Sequence, residues 1–189
     1  MESELLRTAI NKITEMPDED LALLDTCISK RELKRGSVVL EEGEVCCSFY
    51  FVEKGHLRTW YNKDGISINL NFTFEGGFAS NLKSFKSRLP SEFTIEAGEN
   101  TIVYVFEWNL IRAQVDDRPH ILSFIRRLAV RLLLASEEHS ELFKIYTPAE
   151  RYHFIEKHHP RLLQRVSLSQ IASYIGISRE TLSRIRAKG

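Results

Sequence analysis

At 189 residues and 43% apolar composition, the chain can bury one sizeable core, or one medium and one small core. Its 26 basic and 26 acidic residues cancel, yet nine Lys and Arg face three acids from Lys144 onward, leaving that tail at +6 and the remainder at −6. Three cysteines, Cys27 and the adjacent Cys46 and Cys47, exclude a fully paired disulfide framework and a CxxC metal clamp, while early acids and the lack of a long apolar run exclude export and membrane insertion. Reduced thiols in a cytoplasmic protein are therefore expected, with an oxidation-sensitive pair as the alternative. The charge split fits a small polyanion-binding unit carried by a larger acidic one; two solvated faces of opposite bias fit it as well.

The first thirty residues predict short amphipathic helices broken at Pro17, with Asp18, Glu19 and Asp20 as helix-start acids. From Glu32 to Trp108 the period becomes two. The stretch from Ser48 to Phe74 holds three strand-like runs separated by turn compositions at Gly55 and at Asn62 to Gly65, and two more runs flank Gly98. Short strands at that spacing predict an antiparallel sandwich or roll. His56 stands alone on a strand and reads as a surface residue.

From Asp117 the period is helical, and Pro119 opens a helix expected to run about 25 residues. Leu122, Ile125, Ala129, Leu132, Ser136, His139 and Phe143 alternate at three and four spacing, a seam suited to a second copy of the same helix; Ile121, Phe124, Leu128 and Leu133 form another apolar flank. Burial within one subunit is the alternative for the seam. Thr147 to Glu150 is a capping box that starts a new helix, ending near His159 and Pro160, where a hinge between domains is expected. The paired histidines His158 and His159 are not spaced for a metal.

The last 24 residues, from Val166 to Gly189, carry the densest signal. Ser167 and Gln170 form a capping box before Leu168, Ile171, Ala172 and Ile175. Gly176 permits the turn, Ile177 fills the space between helices, and Ser178 caps a second helix with Leu182 and Ile185 inside. A small residue at the crossing followed by a turn glycine is the helix-turn-helix constraint. The outward side then carries Arg179, Glu180, Ser183, Arg184 and Lys188. Arginine can bond guanine bidentately and glutamate can accept from cytosine, each good pair discriminating by about 1–3 kcal/mol. An ordinary solvated helix with a Glu180–Arg184 pair is the plainer reading.

"GISRETLSRI" resembles the recognition helix of the Crp/Fnr family of bacterial transcription regulators, and the order of roll, long helix and helix-turn-helix agrees with it from about residue 20 to 187. In the roll, Gly36, Gly43 and Gly55 match the family's strand and turn pattern. The resemblance implies an α+β fold with three parts: an N-terminal antiparallel β-roll of jelly-roll-like, cyclic-nucleotide-binding-domain type (1–116), a dimerisation helix (117–145) and a small helix-turn-helix domain (146–189). It also implies that Arg179, Glu180 and Arg184 read bases, that Ser167, Ser178 and Thr181 meet phosphates, and that double-stranded DNA, a second copy and RNA polymerase are partners. The family's β-hairpin wing has no counterpart after Arg186, so weaker DNA binding is expected, with Arg186 and Lys188 partly compensating.

Many members bind cyclic AMP in the roll. Gly76, Phe78, Leu82 and Phe85 match that frame, yet the ligand groups differ: Ser80-Asn81 stands where Gly-Glu is expected and Ser91-Glu92 where Arg precedes a hydroxyl. Without the arginine a buried phosphate loses its charge-assisted grip, and Glu92 is expected to repel it. Arg88 is the remaining candidate cation. Of the two hydroxyl positions that meet the base, one is Ala135 and the other Ser136. The roll is expected not to bind cyclic AMP, no metal or other cofactor is expected, and the pocket either takes another small molecule, a cation for instance, or is filled by its own side chains. The competing functional reading is a small-molecule or cyclic-nucleotide sensor that acts through protein interaction. A cupin-type enzyme needs a His-x-His and Glu cluster, whereas the strands from Glu32 to Trp108 contain one histidine.

Overall fold

The computed structural model describes residues 2–114 and 118–188, without the side chain of Lys188. The expected boundary at residues 116 and 117, and the role given to the Lys188 side chain, lie outside those residues. Two helices open the chain, α1 (Glu4–Ile13) and α2 (Asp18–Thr26). The strands follow as β1 (Ile28–Leu33), β2 (Val38–Leu40), β3 (Ser48–Lys54), β4 (His56–Lys63), β5 (Ile66–Phe74) and β6 (Phe78–Ala79). A short helix α3 (Leu82–Ser87) precedes β7 (Thr94–Ala97) and β8 (Thr101–Glu107), and a helix α4 (Trp108–Gln114), which strand periodicity does not announce, ends the roll. The long helix α5 (Pro119–Ile145) leads to α6 (Pro148–His158), α7 (Pro160–Arg165), α8 (Leu168–Tyr174) and α9 (Arg179–Lys188).

The strands form two four-stranded antiparallel sheets, ordered β1-β8-β3-β6 and β2-β7-β4-β5. Period two sorts the first sheet's side chains. Phe49 and Phe51 of β3 and Tyr104 and Phe106 of β8 face α1, α2 and α5, while Tyr50, Val52, Val103 and Val105 face the second sheet. The central strands β8 and β3 are thus buried on both faces, which is why they read as apolar runs. At the β3–β4 turn Gly55 has φ +88°, and a Cβ there would stand 2.8 Å from the Asn100 carbonyl. The hairpin turn from β4 to β5 places Asp64 and Gly65 at φ 53° and 83°, with the Gly65 amide donating to Asn62 Oδ1 at 2.9 Å.

Helix α5 lies on the first sheet through Ile121, Phe124, Ile125 and Leu128. The seam expected to meet a second copy is therefore partly turned inward. Ile125 is 7% exposed and Leu122 and Leu132 pack against the roll, whereas Val130, Leu133 and Leu134 in the middle of the helix, and Phe143 and Ile145 at its end, are exposed. Ala129 is half-buried and Ser136 exposed.

Helices α6 to α9 share one core of Tyr152, Ile155, Leu162, Val166, Ile171, Ala172, Tyr174, Ile175 and Leu182. The break at Pro160 falls inside this unit, and extended backbone at Tyr146 separates α5 from the Thr147–Glu150 capping box that opens α6. A proline at the first helical position ends α6 by its missing donor while letting α7 start at once.

Candidate nucleic-acid interface and ligand cavity

Caps position the candidate reading helix. Ser167 Oγ accepts the Gln170 amide at 3.3 Å and the Ser167 amide in turn donates to Gln170 Oε1, which defines the start of α8. After Ile175 the chain turns through Gly176 at φ +71°, and the Ile177 amide donates to the Ala172 carbonyl at 2.9 Å. A Cβ on Gly176 would stand 2.8 Å from the Phe143 ring, so the turn needs glycine for approach as well as for φ. Ser178 Oγ then accepts the Thr181 amide at 3.1 Å.

With Leu182 fully buried, Arg179, Glu180, Ser183, Arg184 and Arg186 are exposed. Glu180's own backbone amide and the Ser178 hydroxyl, with Arg179 and Arg184 nearby, hold its carboxyl below the usual carboxylate range. It stays an ionised acceptor. Ser167 and Ser178 are exposed and Thr181 half-buried, but their hydroxyls are engaged: Ser167 with Gln170, Ser178 with Thr181.

This unit sits against the roll. Strand β5 is an edge strand, and α8 covers it: Ser173 Oγ accepts the Asn69 amide at 3.0 Å and donates to the Ser67 carbonyl at 3.2 Å. Beside that contact, Arg165 at the end of α7 forks onto Glu75 at 2.8 and 2.9 Å, bonds Glu99, and lies over the Phe74 ring. Burial would raise the carboxyl of Glu75, but the Arg165 fork, its own backbone and the Gly55 amide outweigh it and hold the group at about 2. His56, expected on the surface, is 3% exposed beneath this cluster, with Nδ1 3.3 Å from Glu99 Oε1 and its ring against Phe74. Burial pushes His56 below its ordinary value against the pull of Glu99. At the other end, Arg151 donates to the carbonyls of Leu142, Phe143 and Tyr146 and of Ile175, tying the last turn of α5 to the turn between α8 and α9. Neither Arg151 nor Arg165 has a local motif that would have marked it.

A cavity of about 800 Å³ opens between the roll and α5, lined among others by Phe72, Phe78, Ser80, Asn81, Leu82, Ala135 and Ser136. The positions at which the resemblance expects nucleotide-holding groups bond one another here. Asn81 Oδ1 accepts the Ser84 amide at 3.1 Å and its Nδ2 donates to Ser91 Oγ at 2.8 Å, while Ser91 Oγ donates to the Phe93 carbonyl. Asn81 and Ser91 are both 3% exposed. Glu92, expected beside the vacancy, points outward instead: its side chain is 70% exposed and pairs with Lys83 at 2.6 Å. Arg88 is exposed as well, at a left-handed cap with φ 60°, over the Phe85 ring. Among the described residues no group of three or more His, Cys, Asp or Glu is arranged to hold a metal ion, and no helix is long and apolar enough to cross a membrane.

Residues 30–118 match the family described as cyclic nucleotide-binding domain. No curated protein matches the chain. Among solved structures it is similar to FixK2 from Bradyrhizobium japonicum, at 22% identity over 85% of this chain and 83% of that one, with a TM-score of 0.69. A structure from Eubacterium rectale assigned to the crp/fnr family of transcriptional regulators matches at 17% identity over 92% and 83%, with a TM-score of 0.68. The c-di-GMP-responsive global regulator CLP of Xanthomonas campestris matches at 16% identity over 91% of each chain, with a TM-score of 0.70. Roll, long helix and terminal helical unit are thus one fold with these three structures.

Proposed function

We infer that the chain is a transcription regulator of the Crp/Fnr type, which binds double-stranded DNA sequence-specifically through α9 as a homodimer and has RNA polymerase as a further partner. The observation that carries this reading is the exposed set Arg179 and Glu180 at the start of α9 and Arg184 in its middle, on a helix whose other side is locked by Leu182. Selection of bound fragments from random DNA should yield a near-palindrome with half-sites about 34 Å apart. Arg184→Ala should then relax preference at one position of each half-site by about 1–3 kcal/mol, whereas Arg186→Ala should weaken all sequences alike and lower the salt slope by about one. Recovery of no preferred sequence would favour a sensor that works through protein contacts.

The second copy is supported by α5, where Val130, Leu133 and Leu134 form an exposed apolar stripe at i, i+3 and i+4. Leu134→Glu should give a monomer by sedimentation at concentrations where the unaltered chain is a dimer; an unchanged mass would move the interface elsewhere. We also propose that the roll does not take cyclic AMP. The reason differs from like-charge repulsion, because Glu92 is turned away; Asn81 and Ser91 satisfy each other where a phosphate would need free donors and a cation.

A further inference from the structure

Four rings touch in succession where α8 sits against the rest of the chain. His56 of β4 packs against Phe72 at 6.1 Å, Phe72 meets Tyr174 of α8 edge-on at 5.5 Å, and Tyr174 stacks on His139 of α5 at 4.4 Å and 18°. The succession ends in an imidazole on both sides. Each has a buried nitrogen, Nδ1 of His56 and Nε2 of His139, with no hydrogen-bond partner among the described residues. We propose that this contact is a proton-sensitive latch: His56 and His139 stay neutral while α6 to α9 are docked on the roll, and protonating them weakens the docking. The inference concerns the seating of the terminal unit and stands apart from what α9 reads.

Docking contributes to the burial of both rings. The Phe74 ring lies 5.2 Å from His56, and the Arg165 guanidinium of α7 covers Phe74; Tyr174 covers Phe72 and His139 together. The His56 ring also fills the space that a Cβ on Gly98 would need. The charges that face His56 are Glu99 from the β7–β8 turn, Glu75 from the end of β5 and Arg165 from α7, with Lys54 and Arg161 at the edge of the cluster. Glu99 Oε1 is 3.3 Å from His56 Nδ1 without bonding it. His139 faces His159 from the α6–α7 break, which Glu138 of α5 also faces, and its ring meets Phe143, over which Arg151 of α6 lies.

Burial holds both imidazoles below the ordinary value of 6.5. Arg165 adds to this at His56 against the pull of Glu99 and Glu75, and His159 adds to it at His139 against the pull of the Tyr174 backbone. Undocking admits water to both rings, takes Arg165 away and leaves Glu75 and Glu99 uncompensated beside His56, so the undocked form binds protons more readily. By linkage, docking is unaffected well above pH 6.5, weakens as pH falls through that value, and levels off below the docked values of the two rings. The carboxylates do not share this window. Glu75 is held at about 2 and Glu99 below its ordinary 4.5, so both stay ionised partners of Arg165 until the pH is below about 4.5.

Hydrogen exchange of the Asn69 amide in the full chain reads the docking directly, because that amide donates to Ser173 Oγ of α8. Its protection, taken relative to the intrinsic rate at each pH, is expected to fall about tenfold from pH 7.5 to 5.5, with the docked form still in the majority. The Val52 amide, which donates to the Gly77 carbonyl within the roll, should keep its protection over the same range. His56→Gln and His139→Gln should each reduce the fall at Asn69, and the double variant should remove it. Should a variant fail to fold, the imidazole resonances of the unaltered chain decide: both rings are expected to titrate below 6.5, over the pH range in which Asn69 loses protection. Flat protection between pH 7.5 and 5.5, a fall that begins only below about pH 4.5, or histidines that titrate at 6.5 or above would each overturn the latch. A fall that survives in the double variant, or that is indifferent to either single one, would do so as well.

Discussion

Phe124→Ala is expected to destabilise the protein by about 3–5 kcal/mol, the range for removing a buried aromatic ring. Phe124 is fully buried, and its ring lies 6.0 Å from both Phe78 and Phe106, so it joins α5 to the first sheet at three rings. Phe78 also lines the cavity. The loss should therefore show in two readouts: a lower urea midpoint and a weakened grip on any molecule held between roll and helix. Phe124→Leu keeps most of the volume and should recover more than half of the stability. A midpoint within about 1 kcal/mol of the unaltered protein would mean that α5 is not held to the roll by this contact.

Arg165→Ala should cost about 2–3 kcal/mol, less than a fully buried pair because the arginine keeps 28% of its side-chain exposure and Glu75 26%. The variant leaves Glu75 and Glu99 facing each other without their shared cation, beside buried His56. Its pH dependence identifies the cause. Glu75 is held at about 2, below the ordinary 4.5. A depressed carboxyl stabilises the folded state fully above the unfolded value and loses that contribution as pH falls toward the folded one. The stability gap between the protein and Arg165→Ala should thus be constant above about pH 5 and shrink as pH falls from about 4.5 toward 2. Arg165→Lys keeps the charge and loses the fork, so it should recover less than half of the gap. A gap that does not change with pH would assign the effect to the stack on Phe74 instead.

How these contacts arise explains what could be read from the chain. The Thr147–Glu150 and Ser167–Gln170 capping boxes, the turn at Gly176 and the hairpin at Asp64–Gly65 were all legible, because each is closed by residues at most five positions apart. Short strand-like runs between turn compositions likewise announced an antiparallel sandwich or roll, whereas the burial of β3 and β8 on both faces came from the helices packed against them. The long helix was legible as a helix, but which apolar stripe faces the roll was not: Ile125 and Leu133 are equally apolar, and only packing sends one inside and leaves the other in water.

The amino-acid order by itself determined the succession of roll, long helix and helix-turn-helix, together with the outward set Arg179, Glu180 and Arg184, since caps, turns and periodicity act over a few residues. Tertiary structure decided the rest. It placed Arg165 on Glu75, 90 residues away, buried His56 beneath Glu99, and turned Glu92 out toward Lys83. It also closed Asn81 onto Ser91 and set Tyr174 of α8 against Phe72 and His139. Those choices depend on which surfaces meet when the sheets close and α8 covers an edge strand, and no spacing along the chain encodes that meeting.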